Sequence, residues 1–178
     1  MKSYKITESE KPLVEINHET PIPVGKQVLV KTIACGVCHS DIHIHDGFFD
    51  GGDGNKIPSR LQDNLTMGHE VYGELVSVGE EVSNVEIGKK YVIYPWIGCG
   101  ECPACKVKNE NLCDTPKSMG VFQDGGYSDY ALIPSFKYLA KLDGVDPDAA
   151  TSLACSGLTA FTAIKKANQK YNENKKRR

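Results

Sequence analysis

Short apolar runs rich in valine, isoleucine and tyrosine recur along the first 150 residues, each closed by Gly, Pro, Asn or Asp. Four stand out: VLVKTIAC (Val28–Cys35), VYGELVSVG (Val71–Gly79), KKYVIYPW (Lys89–Trp96) and YSDYALIP (Tyr127–Pro134). β-Branched and aromatic residues bounded by turn formers predict strands. Short strands joined by irregular loops, without alternating helices, predict a mainly β fold of barrel or sandwich type. Two segments break the pattern. The stretch 45–67 reads as a long polar, glycine-containing loop, of a length that often carries function. From Ser156 to Tyr171, Leu158, Phe161, Ile164 and Ala167 fall at helical spacing while Lys165, Lys166 and Lys170 fall elsewhere, which predicts an amphipathic helix.

Composition narrows the classes. The chain has 178 residues, 40% hydrophobic and 25% charged, with a formal net charge of −2. A nucleic-acid binder would carry a basic excess. The one basic cluster, Lys175, Lys176, Arg177 and Arg178, reads as a solvated tail. No stretch approaches the roughly 18 apolar residues of a membrane helix, and the N-terminus lacks the apolar core of a secretory signal. The expectation is therefore a cytoplasmic chain with no nucleic-acid or membrane partner. In that compartment its seven cysteines are thiols, with metal ligation the leading explanation.

Four of those cysteines fall in fifteen residues, CGECPACKVKNENLC, as C-x2-C-x2-C-x7-C: Cys99, Cys102, Cys105 and Cys113. Tetrahedral zinc takes four thiolates, and a loop bearing glycine and proline can wrap them around one ion, so a closed structural zinc site is the economical reading. An iron–sulfur cluster is the competitor. The bacterial ferredoxin run ends C-x3-C-P, whereas here the last spacing is seven and no proline follows Cys113.

A second constellation, ACGVCHSDIHIHDG, holds Cys35, Cys38, His39, Ser40, Asp41, His43 and His45 at a strand end. MGHE, with His69 and Glu70, stands just before the next strand. Mixed Cys and His ligands with one open position suit catalytic zinc, though these motifs alone leave the choice of ligands open. Cys35 reads as a small strand residue, and His18 and His45 as ordinary loop histidines. Cys155, far from the other cysteines, reads equally as core residue or ligand.

GVCHSD, MGHE, the four-cysteine lobe, DGGYSDY and LACSGLTAF occur in that order. The sequence thereby resembles the zinc-dependent alcohol dehydrogenases of the medium-chain dehydrogenase/reductase family. The resemblance implies a GroES-like, partly open β-barrel over residues 1–150 with a zinc lobe at about 95–116, then a linking helix and basic tail over 151–178. It implies two zinc ions per chain. Cys38, His69 and Cys155 match the ligands of the catalytic ion, and Glu70 an acid near it. Asp41 matches the carboxylate that orients the ligating histidine, and Ser40 and His43 a proton relay to solvent. His39 matches a contact to the cofactor pyrophosphate, Thr159 one near the nicotinamide, and Trp96 a substrate-pocket aromatic. The implied reaction oxidises a primary alcohol to an aldehyde with NAD or NADP, zinc acting as Lewis acid.

The family's cofactor site lies in a separate Rossmann domain marked by G-x-G-x-x-G, and no such run occurs here. Gly52 and Gly54 are followed by Ile57, and Gly98 and Gly100 by Pro103. The sequence ends where the first Rossmann strand is expected. The expectation is a catalytic domain, inactive alone, whose uncovered face meets a second copy or a separately encoded nucleotide-binding half. The alternative is a noncatalytic, zinc-stabilised module that binds a partner protein.

Overall fold

The computed structural model describes residues 1–59, 64–142 and 144–176. Its centre is an antiparallel five-stranded sheet built from β3 (Val28–Gly36), β7 (Glu70–Val78), β8 (Lys90–Ile93), β9 (Tyr130–Ile133) and β10 (Leu139–Lys141), in the order β10-β8-β7-β3-β9. A smaller sheet holds β1 (Lys2–Ile6) between β2 (Val14–Asn17) and β6 (Leu65–Thr66). Backbone bonds from Tyr4 N–H to Tyr127 and from Asp129 N–H to Lys2 lace β1 to the chain entering β9. The two sheets do not close on each other, and each buries its own apolar cluster, giving a mainly β, partly open barrel.

Period-two alternation explains what each face does. Val28 and Val30 of β3, Val71 and Leu75 of β7, and Ile93 and Ile133 of the neighbouring strands turn inward as the main core. Their burial stabilises the sheet by roughly 1.5–3 kcal/mol per side chain. Tyr72 and Val92, one residue out of phase, pack outward against Ala150 and Ala154. That outer contact seats a short helix, α3 (Pro147–Ser152), which opens on an Asp146 cap with proline at its first turn. The 150/151 junction thus falls inside α3.

Two of the four predicted strands are shorter than their apolar runs, while β3 and β7 match theirs to within a residue at either end. The run Tyr127–Pro134 yields only Tyr130–Ile133, and Lys89–Trp96 only Lys90–Ile93. The 45–67 segment is not plain loop. A helix, α1 (His39–Asp46), enters it, stopped by Gly47 at φ 83°, and a hairpin follows with strands β4 (Phe48–Asp50) and β5 (Lys56–Pro58). Glycine at the left-handed cap hides the helix end in a polar stretch, and Phe48 and Phe49 are too brief a signal for a strand. A one-turn helix, α2 (Pro103–Lys106), sits within the cysteine lobe. The predicted C-terminal helix forms and runs further, as α4 (Ser156–Lys176). Lys175 lies within it, while Arg177 and Arg178 of the expected tail lie outside the described residues. No described helix is long and apolar enough to cross a membrane.

Candidate metal centres

Strand register brings the two local motifs together. In the β3–β7 ladder Cys35 faces Val71 and Gly36 faces Glu70. Cys38, two residues beyond β3, therefore lies beside His69, one residue before β7. Gly68 makes the turn at φ 91°, where an added Cβ would sit 2.6 Å from the Tyr127 ring and 2.8 Å from the Cys35 sulfur. Only glycine fits that conformation in that space. Cys155 arrives from the opposite direction, in the turn between α3 and α4. Its position is fixed by a buried carboxylate: Glu70 Oε1 accepts the Ser156 N–H at 2.9 Å. Negative charge at the N-terminus of α4 also complements the helix dipole.

One ligand atom each from Cys38, His69 and Cys155 lies within 4.8 Å of the others. The two sulfurs are 3.9 Å apart. Two thiolates on one tetrahedral zinc, each about 2.3 Å from it, stand about 3.8 Å apart. His69 is 2% exposed, and its Nδ1–H donates to Asp41 Oδ1 at 3.2 Å. That bond fixes the tautomer and leaves Nε2 as the lone-pair nitrogen. Nε2 is fully buried and has no hydrogen-bond partner. An orphaned buried nitrogen facing two sulfurs is what a zinc ligand set presents in the absence of the ion's own contacts. Burial opposes charge on His69, but the hydrogen bond to Asp41 and the negative charge of Asp41 and Cys155 outweigh it and raise the pKa to about 11.

Asp41 is itself held from three sides. Its Oδ2 accepts the Cys38 N–H at 2.9 Å and the Tyr127 hydroxyl at 3.1 Å, in addition to the histidine bond. As the third residue of α1 it reaches back to Cys38, the residue that caps the helix. Tyr127 was not legible as a site residue. It belongs to the DGGYSDY motif, but only the fold shows that its hydroxyl reaches Asp41. Burial and the Asp41 charge push its pKa well above the usual tyrosine range.

The second cluster gathers Cys99, Cys102, Cys105 and Cys113 on the same 4.8 Å scale. Cys99 and Cys105 sulfurs are 4.0 Å apart, and Cys102 and Cys113 sulfurs 3.8 Å apart, again the edge lengths of a zinc tetrahedron. All seven cysteines are free thiols. Backbone N–H groups of Glu101 and Cys102 point at the Cys99 sulfur and lower its pKa to about 6. Burial pushes Cys105 up to about 12. Within the cluster Cys99 is thus the readier thiolate and Cys105 the reluctant one. A residue the sequence reading did not single out moors this lobe to the sheet. Glu110 Oε2 accepts from the Gly98 N–H at 3.0 Å and the Tyr138 hydroxyl at 2.6 Å, and its Oε1 accepts from Lys137 at 2.6 Å.

Around the first cluster, Trp96 stands with its ring 6.3 Å from that of His69. Trp96 and Thr159 line one groove of about 630 Å³, with Tyr94, Asn111, Leu158 and Lys166. Burial works to raise the Cys38 pKa, but the polar groups of Ser40 and the neighbouring His69 outweigh it and hold the thiol below its ordinary value. His39 and His43 stack on one face of α1, ring centroids 4.6 Å apart, with Phe49 5.2 Å beyond His43. The structure shows no direct hydrogen bond between Ser40 and His43. Cys35 joins neither cluster and packs on the core, its pKa pushed up to about 12 by burial. His18 bonds Ser3, and His45 the Lys11 carbonyl.

Residues 25–144 match the Alcohol dehydrogenase GroES-like domain. The chain belongs to this family. The chain is 39% identical over 173 residues to the NAD-dependent alcohol dehydrogenase of Sulfurisphaera tokodaii, covering 94% of this chain and 48% of that relative. The corresponding enzyme of Saccharolobus solfataricus is 38% identical over the same shares. Among solved structures, the acetophenone reductase of Geotrichum candidum in complex with NAD superposes with a TM-score of 0.80 at 32% identity, over 93% of this chain and 47% of that one. The GroES-like chain thus spans about half the length of the curated relatives it matches.

Proposed function

We propose that this chain is the zinc-bearing catalytic portion of an alcohol dehydrogenase that oxidises a primary alcohol to an aldehyde. The observation that carries the reading is the buried, unpartnered Nε2 of His69 beside the sulfurs of Cys38 and Cys155. Those three residues would hold a catalytic zinc, and Cys99, Cys102, Cys105 and Cys113 a structural one. Bound zinc supplies Lewis acidity toward a hydroxyl or carbonyl oxygen, and a nicotinamide cofactor, NAD or NADP, supplies the hydride acceptor.

The chain's own residues supply the rest. Asp41 keeps the His69 ring oriented and its Nε2 free to ligate. Glu70 holds the start of α4, and hence Cys155, against β7. The Ser40 hydroxyl and the His43 imidazole, both on α1, carry the substrate's proton outward by acid–base exchange. Trp96 supplies an apolar wall for the alcohol, and Thr159 and His39 face the cofactor. Residues 1–150 form the catalytic domain and 151–178 lead toward a nucleotide-binding domain. Free thiols suit a reducing, cytoplasmic compartment. The exposed face of α4 fits a second copy or a separate nucleotide-binding half.

Because the 178 residues hold no G-x-G-x-x-G run, the chain alone is expected to show no turnover with NAD and an alcohol. A chimera that continues it with the nucleotide-binding half of a matched relative is expected to reduce NAD, and Cys38→Ser to abolish that activity. A zinc-loaded chimera that binds NAD and oxidises no alcohol would overturn the reading.

A further inference from the structure

The chain has five histidines, and three are committed. His69 is buried against Asp41, His18 Nε2 meets Ser3 Oγ at 3.0 Å, and His45 Nε2 meets the Lys11 carbonyl at 2.8 Å. His39 and His43 make no hydrogen bond among the described residues. They stand four positions apart on α1, so their side chains lie one above the other on a single helix face. Their rings are in contact, centroids 4.6 Å apart and planes tilted by 45°. His39 is exposed and His43 half-buried, so the pair is open to solvent on one side. Phe49 lies on the other side of His43, ring centroids 5.2 Å apart.

The geometry points to a two-histidine chelate for a divalent transition-metal ion, formed by His39 and His43 and separate from both cysteine clusters. Imidazoles at i and i+4 of a helix reach one ion at the usual metal–nitrogen distance of about 2.0–2.1 Å, as in helical zinc sites. The donor set selects the ion: neutral nitrogen suits copper, nickel and zinc, not magnesium or calcium. Once one imidazole binds, the second acts at high effective concentration, so the pair binds far better than either ring alone. The positive end of α1 opposes a cation at its first turn, which weakens the site about two- to fivefold. The Asp41 carboxylate in that same turn offsets part of this. Both rings are those assigned above to the cofactor contact and the proton path, so an ion held here blocks both. That consequence rests on the proposed function; the binding itself does not.

The test uses the untagged full chain, loaded with zinc to fill the cysteine clusters and then desalted, on immobilised nickel. Retention is read as the imidazole concentration at elution, alongside nickel binding by equilibrium dialysis. Wild type is expected to be retained and to bind one nickel. His39→Ala and His43→Ala are each expected to bind at least tenfold more weakly, and the size-conserving His39→Gln and His43→Gln to show the same loss. His18→Gln and His45→Gln are expected to elute with wild type. An unretained wild type, or retention that survives loss of either His39 or His43, would overturn the site. No readout depends on turnover, so failure of the chelate and failure of the dehydrogenase reading are distinguishable.

Discussion

Asp41 does the most for its size. A carboxylate 2% exposed accepts from Cys38, His69 and Tyr127 and so ties a helix start, a strand start and the β9 approach to one point. Asp41→Asn keeps the shape but loses the charge and turns an amide NH2 toward donors. It is expected to weaken zinc at the first cluster by about 10–100-fold, read by chelator competition, and to cost about 1–3 kcal/mol of stability from the unpaired groups. An Asn variant with unchanged zinc affinity would deny the orienting role. Proton and metal compete for His69 Nε2, whose pKa the protein groups raise to about 11. Zinc affinity is therefore expected to climb as pH rises through neutrality; a flat profile between pH 6 and 8 would argue against histidine ligation. At this scale the sequence was most informative. Cys38, Asp41, His69 and the four lobe cysteines lie in short motifs. Tyr127 and Glu110 were not legible, because their partners are 86 and 28 residues away and no local spacing announces such contacts.

Among the elements, the cysteine lobe and α4 differ in how they are held. The lobe is moored by Glu110. Partial burial works to raise its pKa, but bonds from Lys137, Tyr138 and the Gly98 N–H outweigh that and hold the carboxyl below its ordinary value of 4.5. A lowered folded-state pKa means the stabilisation is complete above about 4.5 and is lost as pH falls through the folded value. Wild type is thus expected to lose stability below pH 4.5 more steeply than Glu110→Gln, in denaturant titrations at pH 3 to 6; parallel profiles would remove the mooring role. Beyond its first turn α4 leaves Phe161, Ile164 and Tyr171 between 63% and 67% exposed. Its apolar stripe is real but uncovered by this chain. Few tertiary contacts hold the later turns, so amide protection is expected to fall steadily from Ser156 to Lys170. Uniform protection along α4 would mean that something covers it. The helix was readable from periodicity, as were the four main strands. Strand ends, α1 and the β4–β5 hairpin were not: caps and two-residue aromatic signals are weaker than a core pattern.

For the whole molecule, topology does what no motif can. Cys155 lies 86 residues past His69, and the sequence left it balanced between core and ligand. Packing of α3 on Tyr72 and Val92 carries the chain back to the strand end where Cys38 and His69 already meet. The family resemblance anticipated that return; periodicity and composition could not. The central claim is that both cysteine clusters hold zinc within this half-length chain. Zinc per chain, measured on purified and desalted protein by atomic emission, tests it most directly. Two ions are expected in wild type, one in Cys155→Ser and one in Cys105→Ser. One ion or none in wild type, or two retained after Cys155→Ser, would overturn it.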